Sequence, residues 1–196
     1  MKVAVVKYNA GNIFSVMSAM QRLGIDATLT DDQDVLRNAD KIIFPGQGEA
    51  GNTMAYLHRS GLAQVLIDLK QPFLGICVGM QLMCSHSEEG DTPCLGIFDD
   101  PVVKFTPKPN AEKIPHMGWN SIYNVKSPIF DPSLENEYVY FVHSYYVPLS
   151  THSAAVTDYV QPFSAAIQKD NFYATQFHPE KSGSVGERIL KNFLEL

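Results

Sequence analysis

Short apolar runs alternate with amphipathic stretches through the first half of the chain, which is the pattern of βα units around a parallel sheet. The predicted strands are Val3–Val6, Ala27–Thr30, Lys41–Phe44 and 72–76. Helices are predicted over 62–70 and from 78 to about 85. An earlier helix ends at Gly24 and is predicted from apolar residues at helical spacing, namely Ile13, Val16, Met17, Met20 and Leu23.

The second half of the chain has a different pattern. Beyond residue 95 the apolar segments shorten, β-branched and aromatic residues become more frequent, and prolines separate the segments, which favours antiparallel strands added to the sheet. Residues 105–115 are predicted to be a surface loop. A short amphipathic helix carries Val185, Ile189, Leu190 and Phe193. We therefore predict an α/β fold, a mostly parallel sheet flanked by helices with additional antiparallel strands in the C-terminal half.

Composition narrows the possible functions. At 196 residues and 45% hydrophobic, the chain can bury a full core as a single domain, 1–196. Its formal net charge is −6, and it has no basic run, so we expect no nucleic-acid partner. The first apolar stretch is too short for a signal peptide, and none approaches the roughly 18 apolar residues of a membrane helix, so no membrane partner is expected. Three cysteines, an odd number, favour a reducing cytoplasm over a disulfide scaffold.

Cys77 is the strongest candidate for a nucleophile. It lies between two glycines, where a predicted buried strand ends and a predicted helix begins, which is the setting of a nucleophile elbow. The start of a helix favours the thiolate, and the amide of Val78 would face a tetrahedral oxyanion. Alternatively, Cys77 is only a small buried hydrophobic residue. Cys84 and Cys94 lack this setting, and we assign them no function.

His178 and Glu180 offer the base and the orienting carboxylate that a thiol nucleophile needs. On an extended chain, residues two apart project to the same side, so Glu180 can reach the imidazole. A surface turn is the alternative. The other histidines show no metal-ligand spacing with the cysteines, so we expect no metal and no cofactor; they are His58, His86, His116, His143 and His152.

A glycine-rich segment follows the third predicted strand. Pro45, Gly46, Gln47 and Gly48 would lie at the same sheet edge as Cys77 if the sheet is wound in the usual way. Glycines let backbone amides approach a ligand closely, so the segment is a candidate for a second oxyanion donor and a wall for a small amide substrate. An ordinary tight turn is the alternative.

Three motifs in this order resemble class I glutamine amidotransferases of the triad type: PGQG at 45–48, GICVGMQ at 75–81 and HPE at 178–180. Four further segments narrow the resemblance to the glutaminase subunits of imidazole glycerol phosphate synthase. They are YNAGN at 8–12, IPHMGWN at 114–120, YFVHSY at 140–145 and QFHPEKS at 176–182. This narrower resemblance extends over essentially the whole chain. Gln47 departs from the family, which usually has valine there, and the first segment commonly has a glycine near Asn9 and Ala10. The resemblance implies a flavodoxin-like fold.

The resemblance also implies roles for individual residues. Cys77 would be the nucleophile, His178 the acid and base, and Glu180 its orienting carboxylate. The oxyanion strand would contain Gly46, Gln47 and Gly48, with the amides of Gln47 and Val78 as donors. The residues that would help to hold glutamine are Gln81, Ser144 and Tyr145.

A partner is implied as well. In the family the glutaminase docks as a heterodimer on a separate (β/α)8 cyclase, which receives ammonia for histidine biosynthesis. Four residues match positions near the cyclase interface and the ammonia exit: Asn12, Trp119, Tyr140 and Lys181. Alternatively, Trp119 and Tyr140 are core aromatic residues, Lys181 is a solvated charge and Asn12 only caps a helix.

Other functions remain open on sequence alone. A related glutaminase could supply ammonia to a different synthase, such as one that acts on sugars in surface polysaccharide synthesis. A cysteine peptidase or small-molecule hydrolase on the same kind of scaffold is a second alternative, although Gln81 and the segment 143–145 suit a free amino acid better. A non-catalytic module is the third alternative, but all three triad residue types are present.

Overall fold

The structure is a computed structural model that describes residues 1–8, 13–106 and 112–196. Its strands are β1 Val3–Val6, β2 Ala27–Thr30, β3 Lys41–Phe44, β4 Phe73–Ile76, β5 His86–Ser87, β6 Thr92–Pro93, β7 Pro101–Lys104, β8 His116–Ser121, β9 Tyr138–His143, β10 Tyr145–Tyr146, β11 Ser153–Tyr159, β12 Gln161–Lys169 and β13 Phe172–Thr175. The helices are α1 Phe14–Arg22, α2 Gln33–Arg37, α3 Ala50–Arg59, α4 Leu62–Asp68, α5 Val78–Met83 and α6 Gly183–Leu194. Two 3₁₀ turns span Pro132–Leu134 and Pro179–Lys181. In the described ranges, no helix is long and apolar enough to cross a membrane.

Seven strands form the main sheet, in the order β11-β12-β13-β4-β3-β1-β2. The five strands from β13 to β2 are parallel, and β12 pairs antiparallel with both β11 and β13. The strands at the centre are buried along their whole length, as their unbroken apolar sequences require. The predicted α/β fold is confirmed. The sequence did not indicate that some late strands form a second sheet, β10-β7-β5-β6, and a separate hairpin, β8-β9.

Helices cover both faces of the main sheet because side chains alternate along its strands. Val3 and Val5 of β1 pack in a cluster with buried residues of α1 and α6. Ala4 and Val6 point to the opposite face, where α2, α3, α4 and α5 supply the apolar partners. The core is therefore two apolar layers on either side of one sheet.

The helix α3 is absent from the sequence-based prediction. Its first turn contains Gly51 and Asn52, which are poor helix formers. The carboxylate of Glu49 stabilises this turn by accepting hydrogen bonds from the backbone amides of Gly51, at 3.0 Å, and Asn52, at 2.9 Å. The predicted surface loop 105–115 is also wrong at its start, because Phe105 is buried and stacks on Tyr146, with ring centroids 4.3 Å apart. Within that loop, residues 107–111 lie outside the described ranges.

The last helix lies directly against the turn that carries Glu180. An ideal Cβ placed on Gly186 of α6 would lie 1.9 Å from the carbonyl oxygen of Pro179. That oxygen belongs to the backbone, so the helix and the turn cannot both keep their positions if residue 186 has a side chain. Glycine at 186 thus allows the helix to approach the turn closely.

We predict that Gly186→Ala lowers the free energy of unfolding by about 1–3 kcal/mol, the usual range for overpacking a core. Gly51→Ala in α3 is the control, because its Cβ would meet only side-chain oxygens of Glu49 and Thr92 at 3.0 Å or more. Urea denaturation of both variants measures the difference. Equal effects of the two substitutions would contradict the close approach of α6 to the turn.

Candidate active site

Three adjacent parallel strands bring the candidate residues together. The chain leaves β3 at Pro45, β4 at Cys77 and, after two more residues, β13 at His178. Because β13, β4 and β3 are neighbours in the sheet, their carboxyl ends lie at one edge. The amide of Cys77 donates to the carbonyl oxygen of Thr175 at 2.7 Å, which continues the pairing of β4 with β13.

Cys77 has a strained backbone conformation, with φ 54° and ψ −110°. Two glycines let the chain pack tightly around it. An ideal Cβ at Gly79 would lie 2.1 Å from the carbonyl oxygen of Phe44, and one at Gly46 would lie 2.1 Å from the nitrogen of Gly79. The segment after β3 therefore touches the turn after β4, and Cys77 sits in the predicted elbow.

His178 and Glu180 form a buried pair. The Nδ1–H of His178 donates to Oε1 of Glu180 at 2.7 Å, and the two residues are 1% and 7% exposed. Glu180 reaches the ring from the 3₁₀ turn Pro179–Lys181, so the expectation of an extended chain from His178 to Glu180 holds at His178 and is wrong beyond it. A surface turn is excluded by the burial. The contact itself is the one the sequence predicted.

The pKa of His178 is raised to about 10 by its neighbours. Burial lowers the pKa, but the negative charge of the nearby Cys77 sulfur, together with the hydrogen bond to Glu180 and the charge of that carboxylate, outweighs it. The ring nitrogen that faces away from Glu180, Nε2, is buried and has no hydrogen-bond partner of normal geometry among the described residues. Nε2 is thus close enough to Cys77 to sense its charge and remains available for proton transfer.

A small cavity of about 160 Å³ opens beside the cysteine. Its lining residues come from the elbow and α5, from the turn between β5 and β6, and from the end of β9 through the start of β10: Cys77, Val78, Gln81, Glu89, Val142, His143, Ser144 and Tyr145. The structure thus brings the predicted glutamine-binding residues to one pocket with the nucleophile. Glu89 was missed, because a Glu-Glu-Gly turn is an ordinary surface sequence. Larger depressions of about 410 and 490 Å³ lie elsewhere, and no cysteine or histidine is among their described lining residues.

Gln81 is held by a network of hydrogen bonds rather than left free. Its Nε2 donates to the carbonyl oxygen of Tyr145 at 2.9 Å and to Oε1 of Gln176 at 3.0 Å. Nε2 of Gln176 in turn lies 3.7 Å from Sγ of Cys77. Of the side-chain amide of Gln81, only the oxygen is left for a substrate, and the predicted role in holding glutamine would fall to that atom.

A pair of buried histidines lies behind the pocket, and no sequence pattern indicated it. Nδ1 of His143 lies 2.8 Å from the carbonyl oxygen of Tyr145, so Nδ1 carries a proton. Nε2 of His143 lies 3.0 Å from Nδ1 of His116. Burial lowers the pKa of His143 to about 3 and that of His116 to about 4. Both rings are therefore neutral at pH 7, and His116 donates to His143.

The oxyanion candidates lie next to the nucleophile. Gly46 is buried against the turn, Gln47 is half-buried and Gly48 is exposed. Val78 is the first residue of α5, and its amide belongs to the free amino end of that helix. The hydroxyl of Tyr8, a further buried residue, donates to the carbonyl oxygen of Pro45 and ties the first strand to this segment.

Trp119 and Tyr140 face each other across the β8-β9 hairpin, with ring centroids 6.1 Å apart. Trp119 is 55% exposed, so it is not a core aromatic residue, and Tyr140 is half-buried. Lys181 is half-buried in the 3₁₀ turn that follows His178. Asn12 lies outside the described residues. Three of the four predicted interface residues thus lie in the hairpin or in the turn next to it.

No group of three or more histidine, cysteine, aspartate or glutamate side chains in the described ranges could hold a metal ion. All three cysteines are free thiols.

The chain matches the family model for class-I glutamine amidotransferases over residues 5–196. It therefore belongs to the class-I glutamine amidotransferase family and is an enzyme of that class. Among its relatives, the imidazole glycerol phosphate synthase subunit HisH of Bacteroides fragilis strain YCH46 is 63% identical over 196 residues, covering 100% of both chains. The subunit HisH of Bacteroides thetaiotaomicron is 60% identical, also over 100% of both chains. That of Xylella fastidiosa strain Temecula1 is 44% identical and covers 100% of this chain and 98% of the relative.

Solved structures share the fold. A protein from Thermoplasma acidophilum, described as a putative GMP synthase subunit, has a TM-score of 0.75 and 23% identity, and the match covers 100% of this chain and 93% of that one. The structure of PurLQS from Thermotoga maritima has a TM-score of 0.67 and 17% identity, with coverage of 99% and 97%. At these identities the likeness concerns the fold alone.

The buried histidines predict a loss of stability in acid. His143 has a folded pKa of about 3, and a histidine in the unfolded chain titrates near 6.5, so the unfolded state binds an extra proton as the pH falls below about 6.5. Stability therefore falls with decreasing pH, by up to about 1.4 kcal/mol per pH unit for this residue. We expect His143→Asn, which keeps an amide donor for Tyr145 but does not titrate, to show a shallower decline in urea denaturation between about pH 6.5 and 4.5. The exposed His58, changed to Asn, is the control, and an equal slope in wild type and His143→Asn would contradict the assignment.

Proposed function

We propose that the chain is the glutaminase subunit of imidazole glycerol phosphate synthase. It would hydrolyse L-glutamine to glutamate and ammonia and pass the ammonia to a cyclase subunit in histidine biosynthesis. The observation that carries the proposal is the buried His178–Glu180 pair beside a cysteine held in a strained elbow. The full-length identity of 63% to a HisH subunit supports the choice of pathway.

The first half of the reaction would form a thioester. The sulfur of Cys77 attacks the side-chain amide carbon of glutamine, and the electron pair of the C=O bond moves to the oxygen. The amides of Val78 and Gln47 would hold that oxyanion. His178 carries both ring protons at neutral pH, since its pKa is about 10. It gives the Nε2 proton to the amide nitrogen as the C–N bond breaks and ammonia leaves.

The second half would hydrolyse the thioester. Nε2 of His178 takes a proton from water, the water oxygen attacks the thioester carbon, and the C–S bond breaks with its electron pair returning to sulfur. Glutamate leaves and the free enzyme is restored. Glu180 accepts the Nδ1–H bond throughout, so that only Nε2 exchanges a proton.

The cavity beside Cys77 suits the amino-acid end of glutamine. Glu89 supplies a carboxylate and Gln81 an amide oxygen, both of which attract the substrate ammonium. Ser144 and Tyr145 line the same pocket and are our candidates for holding the substrate carboxylate. At about 160 Å³ the cavity fits a small ligand and is below the usual size of drug-binding pockets.

The β8-β9 hairpin is the proposed docking surface for a (β/α)8 cyclase in a heterodimer. Trp119, at 55% exposure, is the type of residue that dominates binding energy at protein interfaces. Tyr140 links this surface to the site, because its carbonyl oxygen accepts from the amide of His178 at 2.9 Å. Lys181 and Asn12 complete the proposed interface and ammonia exit, Asn12 on its sequence motif alone.

We also propose that residues 1–196 form one glutamine amidotransferase domain. The family match over 5–196 and the presence of both β1 and β13 in one sheet support this. The three free thiols favour a reducing compartment such as the cytoplasm.

The test is glutamate release from glutamine by the purified chain, alone and mixed with an imidazole glycerol phosphate cyclase from the same source and its nucleotide ligand. We expect the cyclase to stimulate the reaction. Cys77→Ala and His178→Ala should each lower the rate by roughly a thousandfold or more. Glu180→Gln should lower it by less, because Glu180 supplies only part of what orients the His178 ring. Cys94→Ala is the matched cysteine control and should retain the activity.

The partner is tested in the same assay. Trp119→Ala should weaken binding of the cyclase and reduce the stimulation. Full activity of Cys77→Ala would overturn the triad. Glutamine hydrolysis that depends on Cys77 but does not respond to the cyclase would overturn the histidine pathway and favour another synthase, such as one acting on sugars.

A further inference from the structure

Gln176 lies at the centre of the site, and no step of the proposed reaction uses its side chain. The residue precedes His178 by two positions and is fully buried. Its Nε2 lies 3.7 Å from Sγ of Cys77, and its Oε1 lies 3.0 Å from Nε2 of Gln81. Its backbone amide donates to the carbonyl oxygen of Ala165 at 2.8 Å, which fixes the residue to the main sheet.

The orientation of the Gln176 amide follows from its neighbours. The carbonyl oxygen of Tyr145 can only accept, so the amide atom of Gln81 that lies 2.9 Å away must be the NH₂ group. The same NH₂ group faces Gln176, so the facing atom of Gln176 must be its oxygen. The NH₂ group of Gln176 is then the one that faces the sulfur of Cys77.

The carbonyl that anchors this arrangement is itself fixed. Nδ1 of the neutral His143 donates to the same Tyr145 oxygen at 2.8 Å. Each hydrogen bond in the series that runs from Tyr145 through Gln81 and Gln176 to Cys77 therefore has a single possible donor and a single possible acceptor. Rotating either amide would bring two donors or two acceptors face to face in a buried site, which is costly.

We propose that Gln176 is a catalytic residue that donates a hydrogen bond to the Cys77 thiolate, and that Gln81 is a positioning residue that sets the direction of this bond. The thiolate is the form of the sulfur that attacks, and the sulfur regains negative charge when the C–S bond of the thioester breaks. Hydrogen bonds to charged groups are the stronger ones. The N–H group of Gln176 therefore stabilises the sulfur in both of these states and has less effect on the neutral thioester.

The role of Gln176 in turnover rests on the proposed glutaminase function, but its contact with the sulfur does not. We therefore choose a test that uses neither glutamine nor a partner. It is the pH profile of Cys77 alkylation by iodoacetamide, resolved by site with mass spectrometry, because the thiolate is the reactive form. Cys84 is fully buried, and burial raises the pKa of Cys94 to about 11, so the three thiols are distinguishable.

Two substitutions at residue 176 test the donor. Gln176→Met has a similar length and lacks the N–H group, while Gln81 keeps its bond to Tyr145. We expect this substitution to raise the midpoint of the profile by about one pH unit. At any pH below the midpoint, alkylation is then about tenfold slower. Gln176→Glu keeps an acceptor for Gln81 but places a carboxylate beside the sulfur, so its midpoint should rise further. If Gln176→Met fails to fold, Gln176→Leu takes its place, because it also lacks the N–H group and adds no charge.

The controls separate orientation and general burial from the donor. Gln81→Met should raise the midpoint by a smaller amount, because the amide of Gln176 is then free to rotate. Gln71→Met removes a half-buried glutamine whose Nε2 donates to the carbonyl oxygen of Leu36 at 2.8 Å, and should leave the midpoint unchanged. The other titratable groups near the sulfur are the same in every variant: His178, Tyr8, Glu89 and His143.

Folded Gln176→Met and Gln176→Glu with the wild-type midpoint would overturn the inference, whatever the glutaminase assay shows. A raised midpoint in a chain that never hydrolyses glutamine would support the donor role and overturn only the proposed function.

Discussion

Close backbone contact between the segment after β3 and the turn after β4 is the constraint on which the site depends. There is no room for a Cβ at Gly46 or Gly79, since either would lie 2.1 Å from backbone atoms across the contact. The contact places the oxyanion segment against Cys77 and surrounds a cysteine held at positive φ. Parallel pairing of β13 with β4 then brings His178 to the same edge. Three loops far apart in sequence thus meet because their strands are neighbours.

The site is a buried polar cluster at the edge of two apolar layers. Buried polar groups are costly unless they are paired, and here nearly every group has a partner of defined direction. Glu180 fixes the ring of His178, and the carbonyl oxygen of Tyr145 fixes both Gln81 and His143. Within the described ranges, two buried atoms of the triad have no hydrogen-bond partner: Oε2 of Glu180, and Nε2 of His178, which is the atom that has to gain and lose a proton. Hydrogen bonds therefore hold the surrounding side chains in place and leave Nε2 of His178 available for proton transfer.

The sequence predicted the parts of the fold that have strong local signals. Apolar runs marked β1, β3 and β4, and two glycines with a cysteine marked the elbow. The helix α3 was missed because its stability comes from a cap and a buried face rather than from its first residues. Gln176, Glu89 and the histidine pair were not assigned roles because their meaning depends on distant contacts, as with Gln81 and Gln176, which are 95 positions apart. Helical propensity and motif spacing carry no information about such pairs.

The central claim is that the negatively charged sulfur of Cys77 lies next to the imidazole ring of His178 in the folded chain. The most direct measurement is an NMR titration of the ¹⁵N-labelled histidine ring, in wild type and in Cys77→Ala. We predict a doubly protonated His178 ring at pH 8 in wild type, because its folded pKa of about 10 lies above the unfolded value near 6.5. In Cys77→Ala the pKa should fall, since the charge that raises it is gone. A neutral ring at pH 8 in wild type, or the same pKa in both proteins, would contradict the account.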